Sequence, residues 1–98
     1  MQRRAWLLQV REGMEEEYRR VHRAVWPELI DVARKSGLRN HSCFIEGRKV
    51  IVYVEADDIE GAFRKLLETD VKKRWDKAMY SIIEETDSPS FEEVFHFD

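Results

Sequence analysis

Apolar residues recur in this chain with two different spacings, and the order in which those spacings alternate is its most constraining feature. Residues 5–10 form a short apolar stretch bounded by charged residues, which is typical of a β-strand. Over residues 14–32 the apolar positions are three and four apart, the pattern of an amphipathic helix, and Gly37 is a natural end for it. Because Pro27 cannot donate a backbone hydrogen bond, we expect this helix to stop near His22 and to restart.

The second half of the chain alternates in the same way. Residues 41–45 and 50–55 are predicted strands, and the short glycine-containing connection between them predicts a hairpin. Two helices should follow, because capping residues stand at 57–58 and 69–70. The apolar face of the second of these helices extends in the sequence as far as Ile83.

The predicted elements end with a strand at residues 91–97, after a break at residues 87–90 that contains Ser88, Pro89 and the neighbouring Asp87. The order β-α-β-β-α-β, with the second helical region split in two, predicts an α+β, ferredoxin-like fold with helices on one face of an antiparallel sheet. The strand at 50–55 is apolar on both faces, whereas a sheet with one helix layer should keep its other face polar. We therefore expect a second copy of the chain to cover that face, as a homodimer.

Size and composition limit the classes of protein that remain. The 98 residues have room for one domain, spanning residues 1–98, and a hydrophobic content of 43% argues against disorder. With 17 basic and 20 acidic side chains the net charge is −3, which gives no basic surface for nucleic acid. Cys43 is the only cysteine, which favours the reducing cytoplasm, and we expect neither a signal peptide nor a membrane span.

Tyr18 and His22 are the first candidates for a functional site. They are four residues apart and therefore share one face of the predicted helix. Histidine is the side chain whose ordinary pKa suits acid–base work at neutral pH, and a helix C-terminus favours its protonated form. The alternative is a surface histidine, since His22 lies between Arg20 and Arg23.

His41, Trp75 and Asp76 are the other candidates, and each has a structural interpretation as well. His41 begins a predicted strand, Trp75 occupies an apolar helical position suited to the core or to the C–H face of a sugar, and Asp76 is next to it. The three histidines are far apart in sequence, and the chain has no glycine-rich phosphate loop. We therefore expect no metal and no cofactor.

Read together, the motifs of this chain resemble those of the L-rhamnose mutarotase family along nearly its whole length. The order and spacing of a tyrosine, a histidine, a Trp-Pro-Glu motif and an Arg-Trp motif make the resemblance fairly specific. The matching pieces are Arg4-Ala5, Gln9-Val10, Glu16-Glu17-Tyr18, His22, Trp26-Pro27-Glu28-Leu29, Gly37, Asn40, Thr69-Asp70-Val71, Arg74-Trp75, Asp87-Ser88-Pro89 and Glu93-Val94-Phe95-His96.

The resemblance implies a dimeric, cofactor-free isomerase that interconverts the α and β anomers of a free sugar. It implies that His22 is the proton donor and that Tyr18 and Trp75 contact the sugar. Two sugar-contacting positions depart from the family pattern, because His41 replaces the usual tyrosine and Asp76 replaces the second of two tryptophans. The substrate is therefore expected to be L-rhamnose or a related deoxy sugar such as L-fucose.

Two other functions are compatible with the same fold. One is a non-catalytic sugar-binding module, which the two departures would allow. The other is an enzyme like the dimeric α/β-barrel monooxygenases or haem-degrading proteins, since a fold does not determine a function. A haem site would need an axial ligand, for which the candidates are His22 and His41.

Overall fold

In the computed structural model, which describes residues 1–86 and 88–98, the described chain forms four strands and four helices. The strands are β1 (Gln2–Val10), β2 (Arg39–Glu46), β3 (Lys49–Ala56) and β4 (Ile83–Glu84); the helices are α1 (Glu15–His22), α2 (Pro27–Ser36), α3 (Ile59–Leu67) and α4 (Asp70–Met79). The strands form one antiparallel sheet in the order β2-β3-β1-β4. The predicted α+β, ferredoxin-like class is confirmed.

The core lies between the helices and one face of the sheet. Val50, Val52 and Val54 alternate along β3 and are buried on that face. In the antiparallel register of β1 and β3, Trp6 lies opposite Val52 and Leu8 opposite Val50, so both side chains point to the same face. This register places every second residue of the central strands against the helices.

Local signals set the ends of the helices as the sequence predicts. Pro27 is the first residue of α2, where its missing N–H costs nothing, and α1 ends five residues earlier at His22. Gly37 ends α2 with a φ of 113°, a backbone conformation that favours glycine. The side chains of Asp58 and Thr69 accept hydrogen bonds from backbone N–H groups in the first turns of α3 and α4.

The prediction for the last strand is wrong. β4 is the two-residue segment Ile83–Glu84, and α4 ends at Met79, so Ile83 belongs to the sheet rather than to the helix. Residues 91–97 form no strand; the backbone N–H of Phe91 donates to the carbonyl oxygen of Ala5 at 2.7 Å, alongside β1. Asp87, part of the predicted break, lies outside the described residues.

The apolar side chains of this segment are left largely uncovered by the rest of the described chain. Arg3 and Glu93 form an ion pair at 2.7 Å that holds the segment near β1. Beyond it Val94, Phe95 and Phe97 remain exposed. An alternating pattern predicts a strand only when one of its two faces can be covered.

The face of the sheet away from the helices is open and partly apolar. Phe44 on β2 is 63% exposed, and Ile51, its neighbour on β3, is 43% exposed. Leu7 lies opposite Ile51 on β1 and extends this patch. Among the described residues, none of the helices has the length and apolar character that crossing a membrane requires.

Candidate active site

A cleft of about 1120 Å³ opens between the helices and the covered face of the sheet. Strands β1 and β2 contribute to its wall, together with helices α1, α2, α3 and α4. The five residues that the sequence singles out all line this cleft: Tyr18, His22, His41, Trp75 and Asp76. The fold thus brings together side chains that are up to 58 positions apart in sequence.

His22, the last residue of α1, is held in one orientation by three contacts. Its ring stacks on that of Tyr18 with centroids 3.8 Å apart, and it meets the indole of Trp75 edge to face at 5.5 Å. Its Nδ1 lies 2.9 Å from the backbone carbonyl oxygen of Tyr18. Because a carbonyl can only accept, Nδ1 carries the hydrogen, and Nε2 is left as the nitrogen that can exchange a proton.

Burial lowers the pKa of His22, and the hydrogen bond to the Tyr18 carbonyl opposes this effect only in part. The helix C-terminus favours the protonated form, but desolvation acts in the opposite direction and outweighs it. The macrodipole acts from the end of one short helix, whereas desolvation acts on the whole ring. At neutral pH the imidazole is mainly neutral, and its conjugate acid is a stronger proton donor than an exposed histidine.

Trp75 is buried, and its ring contacts both His22 and Trp26, the residue that precedes α2. Its ring meets that of Trp26 edge to face at 5.2 Å, and the guanidinium of Arg74 lies 5.8 Å from the centre of the Trp26 ring. Edge-to-face packing of this kind stabilises one ring orientation. Trp75 is thus both a core residue and part of the cleft wall, so the two interpretations of this position are compatible. We call Tyr18, His22, Trp26 and Trp75 the aromatic cluster.

Tyr18 carries a buried hydroxyl that makes no hydrogen bond of normal geometry among the described residues; the polar group near it is the thiol of Cys43, which is a weak partner. The side chain is only 3% exposed although it lines the cleft, and burial raises its pKa far above the ordinary value. The phenol is therefore always protonated and can donate. Since a buried polar group without a partner is costly, this hydroxyl is suited to a ligand that supplies an acceptor.

A second group of side chains gives part of the cleft a polar character. Lys72 and Asp76 are four residues apart on α4 and form an ion pair, with the Nζ of Lys72 2.6 Å from Oδ1 of Asp76. His41 is exposed as a residue, but neighbouring protein atoms partly desolvate its imidazole and lower its pKa, and the positive charge of Lys72 and the proximity of His22 lower it further. We call His41, Lys72 and Asp76 the polar cluster.

Sequence reasoning missed Lys72 and Cys43, which also line the cleft. The Sγ of Cys43 lies 3.9 Å from Nε2 of His41; the residue as a whole is exposed, but partial desolvation of the thiol raises its pKa. A period of two along β2 places both residues on one face, and the i, i+4 spacing links Lys72 to Asp76. Either spacing could have pointed to these residues once His41 and Asp76 were chosen.

The described residues contain no cluster of three or more histidine, cysteine, aspartate or glutamate side chains that could hold a metal ion. The chemistry available in the cleft is therefore discussed in terms of its side chains. These are one oriented imidazole, one buried phenol, an indole face and an ion pair next to a second imidazole.

Solved structures define the class to which this architecture belongs. A crystal structure of an L-rhamnose mutarotase from Formosa agariphila superposes with a TM-score of 0.84 over 100% of both chains, at 22% sequence identity. A dimeric ferredoxin-like protein from an uncultured marine organism has a TM-score of 0.65, at 15% identity over 98% of this chain and 96% of that one. At these identities the likeness concerns the fold, which is ferredoxin-like.

Sequence comparison then identifies the family. The family pattern described as L-rhamnose mutarotase matches residues 3–97. The L-rhamnose mutarotases of Opitutus terrae and Bacillus subtilis are 34% and 30% identical to this chain, and each alignment covers 100% of both proteins. The chain belongs to the L-rhamnose mutarotase family.

Proposed function

We propose that this protein is an isomerase that interconverts the α and β anomers of L-rhamnose. The observation that carries the proposal is the state of His22: Nδ1 is committed to a backbone carbonyl, and Nε2 faces a cleft large enough for a monosaccharide. The membership of the chain in the L-rhamnose mutarotase family supports the same activity and the same sugar.

The reaction needs one proton delivered and one removed. In the proposed mechanism protonated Nε2 of His22 gives its proton to the ring oxygen while a water molecule in the open cleft takes the proton of the anomeric hydroxyl. The bond between the ring oxygen and the anomeric carbon breaks, and a carbonyl forms. After rotation of that carbonyl the same steps run in reverse on its other face, which returns the proton to His22. A positioned acid or base typically contributes ~10²–10⁴-fold to such a step.

The other members of the aromatic cluster would bind and orient the sugar. Trp75 offers an indole for the C–H face of the ring, and the buried hydroxyl of Tyr18 would donate to an oxygen of the sugar. Since both rings pack directly against His22, a sugar held by them lies next to Nε2. Short distances and fixed orientation are what such a proton transfer requires.

We propose that His41 and Asp76 determine which sugar the cleft binds. Both line the cleft and both can hydrogen-bond a hydroxyl, whereas their charge and shape differ from those of a tyrosine and a tryptophan. A related deoxy sugar such as L-fucose therefore remains in the proposed substrate class alongside L-rhamnose.

We also propose that the protein works as a homodimer in the cytoplasm. The open face of the sheet, with Phe44 and Ile51, and the exposed apolar residues at 94–97 together offer a surface that a second copy could cover. The single free cysteine, Cys43, suits a reducing compartment. Sedimentation at micromolar concentration should give about twice the chain mass of 11.8 kDa. A monomer would contradict the dimer and leave the catalytic proposal standing.

Exchange NMR tests the activity directly. The rate at which the two anomers of L-rhamnose exchange is measured with and without the protein, and with L-fucose and D-glucose for comparison. The expected result is faster exchange of L-rhamnose and little or no effect on D-glucose. If the protein binds L-rhamnose without changing the exchange rate, it is a sugar-binding module and the proposed activity is wrong.

A further inference from the structure

Three ion pairs among the described residues join side chains four positions apart on a helix, and one of them differs from the others. In the pairs Lys35–Asp31 and Arg74–Asp70 the basic side chains are 74% and 57% exposed. In the pair Lys72–Asp76 the lysine side chain is only 20% exposed, and its Nζ is 2.6 Å from the carboxylate. An exposed pair on a helix contributes little, so the first two need no function.

The surroundings of the third pair are also different. Lys72 and Asp76 both line the cleft, whereas Lys35 and Asp31 do not. The positive charge of Lys72 acts on His41, a residue of β2 on the same cleft, and disfavours protonation of its imidazole. Lys72 therefore connects two of the residues that face the sugar site from different elements.

We propose that Lys72 is a positioning residue that fixes Asp76 and His41 as a binding site for neighbouring hydroxyl groups of the sugar. The inference rests on the proposed function, because it assumes a sugar in the cleft. Lys72 holds one carboxylate oxygen of Asp76 and leaves Oδ2 free to accept from a hydroxyl. A neutral His41 offers one ring nitrogen that donates and one that accepts, which a protonated imidazole would not.

The chemistry of this arrangement selects for hydroxyl pairs. A sugar hydroxyl both donates and accepts, so one of two neighbouring hydroxyls can donate to the free oxygen of Asp76 while the other bonds the nitrogen of His41 that does not face Cys43. Hydrogen bonds to an ionised acceptor are stronger than those between neutral groups. A sugar that lacks one of the hydroxyls leaves a polar group of the site without a partner, which is a strong basis for rejection.

Two substitutions at one position test the inference. Lys72→Met removes the charge and keeps the length of the side chain, whereas Lys72→Arg keeps the charge. Lys35→Met is the matched control, since it removes the lysine of an exposed pair with the same spacing. NMR titration gives the pKa of His41, and exchange kinetics give KM and kcat for L-rhamnose and for an analogue that lacks one ring hydroxyl.

The expected result is a coupled change. In Lys72→Met the pKa of His41 rises, KM for L-rhamnose rises roughly tenfold, as expected for the loss of about one hydrogen bond to the sugar, and kcat changes little. The preference over the analogue that lacks a hydroxyl shrinks as well. Lys72→Arg restores the wild-type values, and Lys35→Met has no effect.

Other outcomes overturn the inference. If the pKa of His41 stays the same, or if it rises while KM does not, Lys72 does not position a sugar-binding pair. Should Lys72→Met fail to fold, Asp76→Asn decides, because an unchanged KM in that variant also overturns the inference. The proposed function fails separately, since its failure would appear as absent anomer exchange in the wild type. The titration of His41 and the binding of sugar to Lys72→Met would still test Lys72 in that case.

Discussion

The aromatic cluster, apart from Trp26, lines the same cleft as the polar cluster, but the two are held in different ways. In the aromatic cluster the centre of each ring lies within 5.5 Å of the next one, in the order Tyr18, His22, Trp75 and Trp26. In the polar cluster the Lys72–Asp76 pair fixes two side chains, and the carboxylate of Asp76 is half exposed. The aromatic cluster is held by the packing of buried rings, and the polar cluster is held by an ion pair.

This difference suggests a division of labour. Proton transfer depends on a short distance and a fixed angle, which packed rings provide. Binding of hydroxyls tolerates adjustment, because a partly exposed carboxylate and an imidazole can rotate toward different partners. We therefore expect substitutions in the aromatic cluster to lower the rate for every sugar, and substitutions in the polar cluster to change which sugar is preferred.

The largest effect should come from His22→Ala. Removal of the proton donor is expected to lower anomer exchange by ~10²–10⁴-fold, the range for a positioned acid or base, with the fold intact by circular dichroism. His96→Ala is the matched control, because this histidine lies in the exposed C-terminal segment and outside the cleft. A His22→Ala protein that exchanges anomers at the wild-type rate would show that the aromatic cluster has no catalytic role.

The double variant His41→Tyr, Asp76→Trp addresses the polar cluster. These changes restore the residue types that are usual in the family, so we expect the ratio of exchange rates for L-rhamnose and L-fucose to move toward L-rhamnose. A range of ~10–200-fold is reasonable where apolar contacts decide, and a larger shift would indicate a hydroxyl left without a partner. Identical ranking of the two sugars by both proteins would mean that these positions do not determine specificity.

The sequence was sufficient for most of the fold because its signals are local. The restart of the helix at Pro27 and its end at Gly37 depend on the backbone chemistry of single residues. The hairpin between β2 and β3 depends on a short turn that contains Gly47. The final strand was predicted wrongly because the apolar residues at 91–97 do not reveal whether another part of the folded structure covers them.

The candidate site could be predicted only in part for a similar reason. Tyr18 and His22 follow from helical spacing and from the resemblance to the family. Lys72 did not, because only the folded structure shows that it lines the same cleft as His41. The burial that lowers the pKa of His22 could not be predicted either, since the helix end is visible in the sequence and burial is not.

Tyr18→Phe should separate stability from binding within the aromatic cluster. Among the described residues the buried hydroxyl has only the thiol of Cys43 near it, a weak partner, so its removal should raise the free energy of unfolding, by up to ~1 kcal/mol. If the sugar supplies the missing acceptor, affinity for L-rhamnose should fall roughly tenfold at the same time. Urea unfolding and a sugar titration measure the two effects. A less stable Tyr18→Phe protein would contradict the assignment of an unsatisfied hydroxyl.

The smallest expected effect is on the pH dependence of the free energy of unfolding. It compares His22 in the aromatic cluster with His41 in the polar cluster. Burial lowers the pKa of His22 in the folded protein below its ordinary value of 6.5, so the unfolded chain binds the proton first as pH falls. The free energy of unfolding should therefore decrease from pH 7.5 through 6.5 and below, and each unit of pKa difference corresponds to about 1.4 kcal/mol. In His22→Gln this part of the decrease should vanish, whereas Lys72→Met should leave it in place, because the charge of Lys72 acts on His41.

Urea unfolding at a series of pH values, with His96→Ala as the control, measures the slope. A decrease of the same size in wild type and His22→Gln would mean that burial of His22 does not control its protonation, and the contrast between a buried cluster and a charged one would fail at this residue.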